Sequence, residues 1–369
     1  MNKNIGLYLH VPFCDGKCPY CDFYSVRGSE ERMEQYTNSI IEKIKYYGSR
    51  LNRRADTLYF GGGTPNLLGA ERLASILAVA RESFGLDNAE ITLEVNPAED
   101  LGEFFKIIRA AGANRLSIGL QSAREEELSL LGRRHTAAQA AQAVRDARSA
   151  GFENISLDLM LAIQCQTKES LLRSIDFIED ADVSHVSAYL LKIEPHTAYA
   201  QKREQLSVPD DDEAGEYYLF ACEELEKRGF EQYEISNFAK PGFESRHNLK
   251  YWHCEEYLGL GPAAHSFLGG KRFYYERSLG SFLNGGEPAE DGEGGGFEEY
   301  AMLALRLKEG LSDAACRERF GHDLPVPVKE AAQRYEKYGL TVCGETGFHF
   351  TQAGFLVSNT LISEILTAK

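Results

Sequence analysis

Leu7-Tyr-Leu-His-Val-Pro-Phe-Cys14-Asp-Gly-Lys-Cys18-Pro-Tyr-Cys21 joins a short apolar run to three closely spaced cysteines. Leu7–Val11 reads as a strand, so the C-x3-C-x2-C run occupies the loop at its C-terminal end, where α/β barrels carry their active sites. Three thiolates from one loop can each take one iron of a cubane cluster, and the fourth iron is then open to an external molecule. The competing reading is structural zinc, which prefers four protein ligands in a closed site. His10 is a nearby fourth donor, but it falls within the strand. The other cysteines, Cys165, Cys222, Cys254, Cys316 and Cys343, stand singly and read as small buried apolar residues.

Outward from this stretch, further strand-like apolar runs fall at 56–60, 90–95, 115–119, 154–159 and 184–190, with the first at 5–10. Helical periodicity fills 30–49, 70–84, 100–111, 136–150 and 168–180. Leu73, Ile76, Leu77 and Ala80, for example, form one stripe at i, i+3, i+4 and i+7. Strands alternating with helices imply parallel pairing and an α/β domain, either an open sheet or a barrel. A further helix spans about 210–228, before a short apolar segment at 233–235. Residues 285–296 are acidic, glycine-rich and without apolar anchors, the composition of a linker or mobile loop. Helical patterns return at 297–309, 312–320, 327–339 and 353–367, with a short strand at Phe348–Phe350. The expected organisation is one unit over 1–284, a connector over 285–296 and a small, mostly helical domain over 297–369.

Bulk properties narrow the function classes. Apolar residues make up 43% and charged residues 26%, the balance of a globular protein. The net charge of −16 argues against a general grip on nucleic acid, which needs a basic surface. No apolar run has the length of a transmembrane span, and Met1-Asn2-Lys3-Asn4-Ile5 has no signal-peptide pattern, so the expected location is cytoplasmic.

C-x3-C-x2-C with an aromatic residue, Tyr20, before its last cysteine resembles the signature of radical S-adenosylmethionine (SAM) proteins. The surrounding text is closer still. Leu-Tyr-Leu-His-Val-Pro-Phe-Cys (7–14), Tyr-Phe-Gly-Gly-Gly-Thr-Pro (59–65), Glu-Val-Asn-Pro (94–97), Leu-Ser-Ile-Gly-Leu-Gln-Ser (116–122), Leu-Gly-Arg-Arg-His (131–135) and Tyr-Glu-Ile-Ser-Asn-Phe (233–238) resemble the oxygen-independent coproporphyrinogen III oxidase family, in the same order along the chain. The resemblance implies a partial (βα)6 barrel of radical SAM type. It also implies a 4Fe–4S cluster on Cys14, Cys18 and Cys21, with SAM on the open iron.

Roles transfer position by position. Gly62, Gly63 and Thr64 follow a strand and offer close backbone approach to the methionyl amino group. Glu94 ends the next strand and can accept from the cationic ligand or its ribose. Gln121 offers a donor and an acceptor, Arg133 a fork for the SAM carboxylate, and Asp158 an acceptor for a ribose hydroxyl. Tyr8 resembles the family's tyrosine near the substrate, with a catalytic role. One stretch departs: the family's Leu-Met-Tyr-Gly-Leu-Pro-Gly-Gln-Thr is here Leu159-Met-Leu-Ala-Ile-Gln-Cys-Gln-Thr167. This change near the expected adenine site puts SAM cleavage in question more than SAM binding.

Three features point to the heme-chaperone branch of that family rather than to its decarboxylating oxidase. The oxidase carries a further cysteine where this chain has Phe23, and it has an N-terminal extension where this chain reaches Cys14 almost at once. Arg246-His247-Asn248-Leu249-Lys250-Tyr251-Trp252 resembles the branch's His-Asn-x-x-Tyr-Trp motif. On a helix His247 and Tyr251 share a face, with Trp252 beside them. Histidine is a common heme ligand, and the aromatics can pack on a macrocycle; the plainer reading is an aromatic helix packed on the barrel. His253 and Cys254 are adjacent alternative ligands. The resemblance therefore implies heme as ligand and an apo-hemoprotein as acceptor, with room for peripheral contact with membrane hemoproteins. The alternatives are coproporphyrinogen decarboxylation by a SAM-derived radical, another radical SAM reaction, or a relative that has lost radical chemistry.

Overall fold

The structure is a computed structural model and describes residues 4–368. Six parallel strands run in sequence order: β1 (Ile5–Val11), β2 (Ala55–Gly62), β3 (Glu90–Val95), β4 (Arg115–Gln121), β5 (Asn154–Leu161) and β6 (His185–Leu190). Each pairs with the next, and the helices Glu30–Leu51, Ala70–Phe84, Gly102–Ala111, Ala137–Ser149 and Lys168–Asp180 form the crossovers. Sequential parallel order with a helix at every crossing is the barrel arrangement rather than the doubly wound one. The barrel is partial. β6 is followed by antiparallel β8 (Asn237–Ala239) and β7 (Glu231–Gln232), while on the other side β1 is flanked by β9 (Tyr257–Leu260). β10 (His265–Leu268), β11 (Lys271–Tyr274) and β12 (Ala289–Glu293) extend that side as an antiparallel meander.

Strand residues alternate strictly between two environments. Ile5, Leu7, Leu9 and Val11, then Leu58 and Phe60, Ile91 and Leu93, Leu116 and Ile118, and Leu157 and Leu159 join the helix faces, Leu73, Ile76, Leu77 and Ala80 among them, in one buried cluster. The positions between carry polar groups: Tyr8 and His10, Thr57 and Tyr59, Thr92 and Glu94, Arg115 and Ser117, Ser156 and Asp158, Ser187 and Tyr189. Parallel strands covered on both faces usually read as continuous apolar runs, and closed barrels fill their interior with branched aliphatics. A polar inner face instead marks a hollow built for a ligand.

Two sequence expectations change. Within 285–296, Ala289–Glu293 forms the edge strand β12, antiparallel to β11. All five of its residues are exposed, so backbone pairing alone holds it and no apolar pattern announces it. Beyond residue 296 the helices are joined by a three-stranded sheet in the order Leu311–Ser312, Gly347–Phe350, Thr341–Gly344, and the last predicted helix is split at Val357. This region is attached to the barrel by backbone: the Ile235 N–H donates to the Arg306 carbonyl at 2.9 Å.

The departing loop after β5 keeps a glycine-type backbone without glycine. Ala162 and Cys165, where the family text has Gly, adopt φ of +57° and +61°. The Gln166 side chain holds the turn, accepting from the Ala162 N–H at 2.7 Å and donating to the Met160 carbonyl at 3.0 Å. Left-handed backbone costs an L-residue about 1 kcal/mol or more. Ala162→Gly and Cys165→Gly should each stabilise the fold by about 1 kcal/mol, seen as a higher urea midpoint at unchanged slope.

Candidate functional site

The cysteine loop leaves β1 and is tied back on itself, with the Cys14 N–H donating to Val26 O and the Cys21 N–H to Cys18 O, each at 3.1 Å. Its three cysteines are half-buried. A ring of side chains from the neighbouring strand ends surrounds them. The Thr64 hydroxyl lies 3.4 Å from Cys14 Sγ and accepts from Asn96 Nδ2 at 2.8 Å. Asn96 Oδ1 in turn accepts from Arg133 Nη2 at 2.8 Å, and Arg133 Nη1 lies 3.7 Å from Cys18 Sγ. Cys14, Thr64, Asn96, Arg133 and Cys18 thus form one collar over the ends of β1 to β4. Tyr20 stands beside it, its phenol pushed above the ordinary range by burial and by the nearby Cys18 and Cys21 despite the opposing Arg133 charge.

The glycine run packs directly on the loop. The Gly63 N–H donates to Val11 O at 2.8 Å and the Thr64 N–H to Phe13 O at 2.7 Å. A Cβ on Gly63 would fall 2.7 Å from the Phe13 oxygen and 2.8 Å from that of Val11, so only glycine allows this approach. The run's N–H groups are therefore spent on the protein, and its carbonyls are what an ammonium group would meet. Burial raises the Cys21 thiol above its ordinary range. Among the described residues no three Cys, His, Asp or Glu side chains converge on a single-ion site.

Below the collar, the inward carboxylates carry raised pKa values. Glu94 accepts from Tyr59 Oη at 2.9 Å and from the Gly62 N–H at 3.1 Å, yet burial, with Asp158 nearby, pushes its carboxyl up to about 7. Asp158 accepts from Ser117 Oγ at 3.0 Å, and burial raises it to about 6. Gln121 ends β4 beside a bulge, with φ +69° and 8% exposure, a strained backbone at a site rim. Tyr8 Oη lies 3.1 Å from His10 Nδ1, and His10 Nε2 lies 2.9 Å from the Tyr24 carbonyl. A carbonyl can only accept, so Nε2 carries the proton and the Tyr8 hydroxyl donates to Nδ1. Burial holds His10 neutral, at about 4.

His247 departs from expectation. Arg246–Trp252 is helical as predicted, but it closes the floor of the barrel. Glu90 caps it, accepting from the Arg246 N–H at 3.0 Å and the His247 N–H at 2.9 Å. The His247 ring is 1% exposed and stacks on Tyr59 at 5.2 Å. Its Nδ1 bonds Thr57 Oγ1 at 2.8 Å and its Nε2 bonds Tyr251 Oη at 2.7 Å. Burial lowers its pKa to about 3. Axial ligation needs a free, accessible nitrogen lone pair, and this conformation offers none. Tyr251 is tied to the same bond, and Trp252 is half-buried. Of the alternatives, His253 pairs with Glu309 at 2.5 Å and Cys254 is buried. Sequence reasoning also missed Asn96, Tyr59 and Arg115. The alternation of polar and apolar residues along β2 to β4 was the available signal.

Fold and cysteine loop together define a radical SAM protein, and residues 8–178 match the Radical SAM superfamily while 297–357 match the HemN C-terminal domain. The structure of coproporphyrinogen III oxidase (HemN) from Escherichia coli, described as a radical SAM enzyme, superposes with a TM-score of 0.84 at 20% identity, covering 99% of this chain and 90% of that one. Similarity in sequence is stronger elsewhere. Heme chaperone HemW of Mycobacterium tuberculosis is 34% identical over 98% of this chain and 94% of its own, and that of Bacillus subtilis 33% over 97% and 98%. The chain belongs to the HemW family.

Two outcomes follow from this geometry. Glu94 titrates higher in the folded chain than its ordinary 4.5, so the stability it confers is complete below about pH 4.5 and is lost as pH rises through about 7. Between pH 5 and 8 the unfolding free energy of the wild type should therefore fall more than that of Glu94→Gln, in denaturant titrations at matched ionic strength. His247→Ala should cost about 2–4 kcal/mol, from a buried cavity and two orphaned hydroxyl partners, and calorimetry would reveal it as a lowered Tm.

Proposed function

We propose that this chain is a heme chaperone that carries a 4Fe–4S cluster on Cys14, Cys18 and Cys21, binds SAM at the cluster, and passes heme to an apo-hemoprotein. The observation that carries the cluster and SAM reading is the collar, which ties Cys14 and Cys18 to three successive strand ends through Thr64, Asn96 and Arg133. Membership of the HemW family supports the heme reading, since the relatives bear the name heme chaperone. When bound, the cluster and SAM supply a one-electron centre next to a sulfonium.

The chain's own residues would act around that pair in distinct ways. Carbonyls at Gly62 and Gly63 accept from the methionyl ammonium. Arg133 already gives Nη2 to Asn96 and to the Gly119 carbonyl, so it steadies Cys18 and offers a carboxylate only its remaining edge. Glu94 and Asp158, poised near neutrality, accept from ribose or from the cationic end, and Gln121 closes the rim. Tyr20 shields the loop. Tyr8, held by His10, presents a neutral phenol to whatever enters below. Heme is received without ligation by His247, both of whose ring nitrogens are bonded within the floor. The acceptor is a hemoprotein, reached in the cytoplasm or at a membrane surface; among the described residues no helix is long and apolar enough to cross a membrane.

Anaerobic reconstitution should give about four irons and four sulfides per chain, with an electron paramagnetic resonance signal that SAM perturbs. Serine at any of the three cysteine positions should abolish both, and zinc without iron in the wild type would refute the reading. Heme titration by absorbance should saturate in the wild type and in folded His247→Ala alike. A binding loss confined to His247→Ala would instead require the floor helix to open.

A further inference from the structure

Arg115 opens β4 and turns into the barrel, where it is 1% exposed and one of the largest fully buried side chains. Its Nε–H has no hydrogen-bond partner. On the adjacent strand, its register partner Thr92 has a buried hydroxyl that is likewise unpartnered. Buried polar groups are nearly always bonded, and a buried donor left without an acceptor is destabilising. Two such groups side by side, one a cationic fork and one a hydroxyl, define a common requirement for an acceptor.

The neighbours do not meet it. Glu94 and Asp158 act on Arg115 through space, while their own hydrogen bonds run to Tyr59 and the Gly62 N–H and to Ser117 respectively. His247 is committed to Thr57 and Tyr251. His185, on the opposite side, bonds Ser156 Oγ through Nδ1 at 2.7 Å and Tyr233 Oη through Nε2 at 2.8 Å, one nitrogen donating and the other accepting. Both imidazoles are held neutral by burial, and the nearby Arg115 charge lowers them further. The Arg115 Nε–H therefore stands unbonded among groups that bond one another, with Arg133 near Asp158 and Lys250 near His247 as the other cations acting on them.

We propose that Arg115 and Thr92 form a carboxylate-receiving site at the floor of the barrel, separate from the collar around the cysteine loop. A carboxylate presents two coplanar oxygens, one for the guanidinium edge and one for the Thr92 hydroxyl. Its bearer is a molecule with an acid group on a flexible arm that passes between Glu94 and Asp158. Those two groups, raised toward neutrality, can meet it partly protonated, as donors rather than as like charges. The site stands on its own geometry. Assigning the arm to a tetrapyrrole propionate rests on the proposed heme function.

The test follows the Arg115 Nε–H resonance in nitrogen-15-labelled protein, assigned by its absence in Arg115→Lys, or in Arg115→Met should the lysine variant not fold. Sodium propionate should move this resonance saturably, whereas sodium chloride at equal ionic strength should not. Thr92→Val should weaken the propionate response about 5-fold. An identical resonance in both salts would mean that only water serves these donors and would overturn the site. In a second arm, heme should bind the wild type about 10-fold more tightly than its dimethyl ester, and the Arg115 variant should lose that preference. Equal binding of acid and ester alongside a positive propionate response would keep the site and reject the tetrapyrrole as its ligand.

Discussion

A parallel sheet that turns one face to helices and the other to a polar hollow must bond nearly every group it turns inward. That constraint organises this molecule. The outward face is apolar and welds the strands to their crossover helices. The inward face places phenols, hydroxyls, carboxylates, imidazoles and a guanidinium at alternate positions, and they satisfy one another across strands, as Tyr59 does Glu94 and Ser117 does Asp158. The floor helix completes the arrangement by supplying His247 to Thr57 and its own N-terminus to Glu90. Burial at this depth raises the carboxylate pKa values toward neutrality.

The upper end of the hollow is held differently. There the cysteine loop is fixed by contacts from the ends of three other strands, so its geometry depends on the register of the sheet beneath it. Gly63 is the hinge of that dependence: with any side chain the glycine run could not lie against Val11 and Phe13. A loop on so rigid a base can hold its donors in place before a cofactor binds, and preorganisation of this kind lowers the cost of binding.

Much of the fold was legible in the chain. The stripe of Leu73, Ile76, Leu77 and Ala80 defines a helix because its period matches the α-helical turn, and Ala70–Phe84 is that helix. The central strands could be read because Leu, Ile and Val mark their outer face. β12 could not be read, since a strand exposed on both faces leaves no apolar trace. The cysteine loop was visible through spacing alone. Asn96 was not, because an asparagine after a strand looks like any turn former until Thr64 and Arg133 are seen on either side of it. His247 shows the opposite limit: its motif was clear, but whether a histidine faces solvent or core depends on which way the helix is rolled, and here Glu90 and Thr57 fix that roll.

The long sheet also has to end somewhere. Its outer margin on one side is β12, Ala-Glu-Asp-Gly-Glu, whose open backbone would otherwise template another strand. Glu290, Asp291 and Glu293 line that margin, with Lys271 the cation paired to Glu290. Two molecules meeting margin to margin would bring like charges together at strand spacing, so the segment that looked least structured acts as a guard against fibrous self-association.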